Sequence, residues 1–234
     1  MTRMSIAVML GVALGASGAA FAESSGRGPG WSVLSGETVG ANNTVFMGQA
    51  GWPGVAFTLL HGVSATVDVG GRLSVNGFTQ EAFLGGYAPG GKLQAVFRVK
   101  FIDTGALKVG LQFAPGAFYY PNIPVCDDID CSASNGSNTA VGLALPFQLD
   151  FGLPIGNAAM VNLGVWVPLS VGFGQSGGAV VPLLFGGGIE YFLNPHVALG
   201  LSAHAGPAFF TANNSAYMRT GLMLDAMLGA AYRF

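Results

Sequence analysis

A chain of 234 residues that is 51% hydrophobic, 9% charged and formally −2 in net charge carries far less charge than the roughly 25% of soluble domains. It has too much apolar surface for a disordered chain and no basic excess for nucleic acid, so an apolar solvent is the first expectation. Its 38 glycines weaken helices throughout.

The N-terminus carries Arg3, an apolar run from Ile6 to Ala16, and Ala20-Phe21-Ala22. A basic start, a short apolar run and a small-x-small site make a secretory signal peptide, expected over residues 1–22. The run is shorter than the ~20 residues of a spanning helix. Residues 23–42 read as a linker before the first strand. Within them, Trp31 to Val39 suits either an extra strand or a stretch inside the fold.

From residue 43 onward the pattern has period two. In "KLQAVFRVKF", Leu93, Ala95, Phe97, Val99 and Phe101 oppose Lys92, Gln94, Val96, Arg98 and Lys100. In "VGLALPFQLDFG", Val141, Leu143, Leu145, Phe147 and Leu149 oppose Gly142, Ala144, Pro146, Gln148 and Asp150. In "VNLGVWVPLSVGF" the odd positions are Val, Leu or Phe throughout. Such alternation describes strands with one apolar face. It excludes the rival reading of two membrane helices within the long uncharged stretch Phe151 to Ile189. In the closing "LMLDAMLGAAYRF", Leu222, Leu224, Leu228, Tyr232 and Phe234 share one face, while Asp225 and Arg233 fall on the other.

Charges within strands therefore point away from the apolar face. Against lipid this follows from the cost of exposing a charge there, and a sheet in lipid must close to pair its edges. The expected fold is all-β: a closed antiparallel transmembrane β-barrel over residues 43–234 of about ten strands, with eight or twelve as the neighbouring solutions. The strands run roughly 43–51, 55–61, 63–78, 92–103, 106–120, 139–152, 159–173, 179–192, 196–210 and 217–234. Tight connections alternate with usually longer ones at 79–91 and 121–138. By the barrel rule, the tight turns and both termini are periplasmic and the long loops outside. Aromatic girdles are expected at the outer rim (Phe118, Tyr119, Phe173, Phe209, Phe210) and the inner rim (Phe101, Phe151, Tyr191, Tyr232, Phe234). Pro146, Pro168 and Pro182 fall inside strands, where a missing donor calls for bulges.

The ending "AMLGAAYRF", with its terminal aromatic and alternating apolar residues, resembles the C-terminal assembly signal of bacterial outer-membrane barrel proteins. The resemblance implies that Tyr232 and Phe234 form the signal and that periplasmic chaperones and the barrel assembly machinery recognise it; a monomer in outer-membrane lipid is the expectation for the mature chain.

Several residues are candidates for chemistry. Arg72, Arg98, Lys100, Lys108, Asp150 and Glu190 are expected to form an ionic cluster that fills the lumen, crossing to a wall of small residues such as Gly164, Gly188 and Gly200. Seven basic side chains (Arg72, Lys92, Arg98, Lys100, Lys108, Arg219, Arg233) face inward against four acidic (Asp68, Asp150, Glu190, Asp225), a balance that in an open pore favours anions. Ser202, His204 and Asp225 share one face, and a register pairing 211 with 218 sets His204 opposite Asp225. As a hydrolase triad they are weak, because positions i and i+2 of a strand start about 7 Å apart; an interior His–Asp pair is the expectation. Cys126 and Cys131 in "CDDIDC" are expected to form a disulfide after export. Asp127, Asp128 and Asp130 between them are weak calcium candidates. The sequence calls for no cofactor and no nucleic acid. The leading function is a structural or surface-interaction role through the outer loops. A narrow passive pore comes second, and a lipid-modifying enzyme third.

Overall fold

The computed structural model describes residues 29–78, 87–124, 137–173, 178–212 and 219–234. The expected signal sequence 1–22, the cysteine pair with its three aspartates, and most of both long loops lie outside these residues. Twelve strand segments follow one another: β1 (Thr44–Trp52), β2 (Gly54–Gly62), β3 (Val67–Phe78), β4 (Tyr87–Asp103), β5 (Lys108–Phe113), β6 (Gly116–Pro124), β7 (Ser137–Ile155), β8 (Ala159–Phe173), β9 (Gly178–Pro182), β10 (Leu184–Asn194), β11 (Val197–Ala212) and β12 (Arg219–Arg233). All pairings are antiparallel, and β12 returns to β1 from Val45↔Arg233 to Trp52↔Ala226, which closes the sheet. Among the described residues there is no helix.

The ring has ten positions, because two of them are each filled by two segments in tandem. β5 and β6 both lie between β4 and β7, and β9 and β10 both lie between β8 and β11. The ten expected strands are thus the ten ring positions. The starts expected at 92 and 139 move to Tyr87 and Ser137, which shortens both long loops.

The two interruptions account for the prolines. Pro146 and Pro168 face each other across β7 and β8. In this register the backbone N of each points away from its partner strand. For Pro146 it points at the break between β5 and β6, where the amide of Ala114 donates to the Pro146 carbonyl at 3.1 Å. Pro168 points at the break between β9 and β10. Pro207 in β11 faces the same break and accepts from the amide of Leu183 at 2.9 Å, while Pro182 ends β9 beside it. Each missing donor falls where the ladder is already interrupted, so no ladder bond is lost.

The alternation expected from the sequence is present in the wall. β2 alternates buried and exposed residues along its whole length, and β11 does so from Ala198 to Ala208. Large apolar side chains cover the outside, from Phe57 and Leu93 to Leu201 and Leu228. Tyr119 and Phe173 are exposed towards one end; Phe101, Tyr191, Tyr232 and Phe234 are exposed towards the other. Phe118 and Phe210 depart from the expected girdle. Phe118 packs at Gly142 and beside Tyr120, whose hydroxyl accepts from Asn76 inside the barrel, and Phe210 packs on Leu184, Ala208 and Met223. Parity turns both inward, since each lies an even number of residues from a lumen-facing position.

The lumen wall is tight enough to demand glycine at particular places. A Cβ on Gly186 would come within 2.0 Å of the Ala203 carbonyl oxygen, whereas one on outward-facing Gly71 would meet nothing closer than 3.7 Å. Gly186→Ala is expected to cost about 1–3 kcal/mol through forced backbone shifts, and Gly71→Ala to leave thermal stability nearly unchanged; melting of the refolded barrel checks the contrast.

Candidate functional site

The tight turns between β2 and β3, β4 and β5, β7 and β8, and β10 and β11 share one end of the barrel with the start of β1 and the end of β12. At this near end residues 29–43 form no strand. They enter the ring, with Trp31, Ser32, Ser35, Glu37, Thr38 and Val39 all buried. Of the two expectations for Trp31 to Val39, the stretch inside the fold is the one observed.

An irregular segment brings unpaired amides and carbonyls into a place with little water, and each must find a partner. The wall supplies them. Asp68 accepts from the amide of Val39 with both carboxylate oxygens, at 3.2 and 3.1 Å. Glu190 accepts from the amide of Val33 at 2.9 Å and from the Ser32 hydroxyl. Arg98 donates to the carbonyls of Ser32 (3.1 Å), Ser35 (2.9 Å) and Glu37, and lies 3.6 Å from Asp68. Asn162 Nδ2 donates to the Leu34 carbonyl at 2.6 Å, and Thr38 Oγ1 to that of Ala65 at 2.9 Å. The guanidinium thus gathers three carbonyls of one turn, while the two acids hold amides on either side of it.

A second set of charges closes around Glu37. Lys100 Nζ lies 2.6 Å from one Glu37 oxygen and 2.9 Å from Asp103; Lys108 Nζ lies 3.3 Å from the other Glu37 oxygen and also pairs with Asp103. Two cations and two anions alternate in a closed ring, so the burial of each charge is offset by two neighbours.

Apolar contacts complete the seat. The indole of Trp31 donates to the Pro195 carbonyl at 3.1 Å, meets Phe192 edge-on at 5.1 Å between centroids, and lies under the Arg233 guanidinium at 5.5 Å. The small wall expected to receive long side chains receives this segment instead. Leu34 sits against Gly200 and Ser35 against Gly152. Gly36 meets Gly110 backbone to backbone: a Cβ on Gly36 would fall 2.6 Å from both the Gly110 nitrogen and the Asp150 carbonyl oxygen.

The expected ionic cluster is therefore divided. Arg98, Lys100, Lys108 and Glu190 meet at the near end, but through residues 31–39 and not directly. Asp150 is buried nearby, accepts from Gln148 Nε2 at 2.9 Å, and makes no ion pair among the described residues. Arg72 belongs elsewhere, in a chamber beyond Leu34. There two adjoining cavities of about 40 Å³ each share Arg72, Trp166, Asp225 and Met227. Glu37 and Asp103 were missed by the sequence reading, although the inward excess of cations over acids already called for further carboxylates.

His204 lies opposite Asp225 as the sequence register required, yet the interior hydrogen-bonded pair does not form. His204 Nδ1 is buried without a partner, and its ring stands edge-on to Trp166 at 5.6 Å. Ser202 faces Met227 across the ladder. Among the described residues no hydrogen bond joins Ser202, His204 and Asp225, and no group of side chains is arranged to hold a metal ion.

No protein-family model matches this sequence, and no curated protein matches it significantly. The site is read on its geometry alone.

Arg98→Met would leave Asp68 without its cation and three carbonyls without their donor. Breaking one buried pair costs about 3–5 kcal/mol, so amide exchange over residues 31–39 is expected to accelerate by roughly a hundredfold or more, with β11 and β12 unchanged. Retained protection would show that the other contacts hold the segment without it.

Proposed function

We propose that the protein is a monomeric bacterial outer-membrane barrel, exported by residues 1–22, with both termini periplasmic and residues 31–39 closing its periplasmic mouth. One observation carries the membrane reading. Among residues whose side chains are described, no Asp, Glu, Lys or Arg is exposed, while the outer surface is Leu, Val, Phe and Tyr. A surface of that kind suits lipid and not water. The shortest ring positions, β1 and β2, have 9 residues each, the lower end of what a tilted spanning strand needs. The exposed Tyr232 and Phe234, packed edge-on at 5.0 Å, suit a sequence handed to the assembly machinery.

In this reading the barrel is not an enzyme and needs no cofactor. It acts structurally or through the outer loops 79–91 and 121–138, with Cys126 and Cys131 pinning the second. The closed mouth supports a non-conducting barrel. A second reading, a narrow passive pore preferring anions, draws support from Arg72 and Lys92 in the chamber, and requires residues 31–39 to leave their seat.

Planar-bilayer recording separates the two. The refolded mature chain is expected to insert and stay silent, and a deletion of residues 29–39 to give discrete conductance steps. Regular steps from the intact barrel would favour the pore. For the lipid-facing surface, Leu201→Arg is expected to cost about 2–4 kcal/mol in folding into vesicles if it lies near the midplane; a neutral outcome would remove the membrane reading.

A further inference from the structure

We propose that the chamber beyond Leu34 binds a small oxyanion, a carboxylate or a phosphate, between Arg72 and Lys92. The two cations sit on neighbouring strands. Arg72 faces Gln94 and Lys92 faces Ser74 across β3 and β4, which makes them a diagonal pair within reach of each other. Like charges so placed repel, and neither has an ion pair or hydrogen bond with any described residue. Every basic side chain of the near-end cluster, by contrast, is paired. Asp225 lines the same cavities but lies beyond ion-pair distance of both cations, so it balances one charge at long range and leaves one positive charge in excess.

The rest of the lining suits a small polar guest. Gln94 and Gln112 face it from one side and Ser170 from another. His204 lines the adjoining cavity, and its Nδ1 is buried with no partner among the described residues; in the tautomer protonated there, a small turn of the ring makes it a spare donor. The guanidinium fork matches the two oxygens of a carboxylate or phosphate edge, and the ammonium adds a point charge. Leu34 of the inner segment lines the adjoining cavity at its near end, so the seated segment bounds the chamber on that side.

The test uses the intact mature chain refolded in detergent, with indole nitrogens labelled, titrated with inorganic phosphate or with acetate. It reports on the chamber whether or not the barrel resides in a membrane. Trp166 lines both cavities, while Trp31 at the near mouth is an internal reference. The expected result is a saturating shift of Trp166 with Trp31 unmoved. Phosphate alone, or acetate alone, producing it would fix which oxyanion is bound. Arg72→Gln and Lys92→Gln are each expected to weaken binding roughly tenfold or more, and Lys92→Arg to retain it. No Trp166 shift, or shifts of both indoles in parallel, would overturn the proposal, as would undiminished affinity in folded Arg72→Gln. Should either glutamine variant fail to fold, the wild-type titration decides by itself.

Discussion

The structure depends on one constraint: polar backbone placed where water is scarce must be paired within the protein. The ring meets it by closing, β12 onto β1. Residues 31–39 cannot meet it that way, because they form no strand, and so the wall must supply partners. Asp68 and Glu190 take amides and Arg98 takes carbonyls. These charged groups do for an irregular segment what a neighbouring strand does for a regular one.

The same constraint explains the uneven use of charge along the barrel. At the near end Arg98, Lys100 and Lys108 each have an anion or carbonyl within reach, and the Glu37–Lys100–Asp103–Lys108 ring is electrically closed. Beyond Leu34 the ion pairs among the described residues stop. Arg72 and Lys92 have no partner among them and stand beside cavities large enough for water or a small guest. The lumen is divided by its chemistry into a structural end, where charge holds the chain in place, and an open-valence end, where charge is left for something else. Glycine sets the boundary between them, since Gly36 against Gly110 and Leu34 against Gly200 let the segment lie flat on the wall.

The prolines follow a related logic. Read as sequence, Pro146, Pro168 and Pro182 count against strands that must pair on both sides. In the ring, Pro146 and Pro168 direct their missing donors at breaks in the adjacent position, and Pro207 faces one of those breaks from the other side. A defect in one strand is matched to a break in the next, so the missing donors cost no ladder bond beyond the two interruptions.

The sequence by itself determined the barrel, its approximate strands and most of their faces, because period two and charge placement are local properties; the breaks after β5 and β9 and the inward turn of Phe118 and Phe210 were decided by register around the ring. It also placed His204 opposite Asp225, since register follows from hairpin length. Which end of the inner face each charge served was settled only by the tertiary structure. The seat of residues 31–39 depends on side chains from β3, β4, β8 and β10, brought together around a ring, and no periodicity marks a segment that is neither strand nor helix. Glu37 stayed hidden for the same reason: its partners lie some sixty or more residues away, and only closure of the barrel puts them side by side.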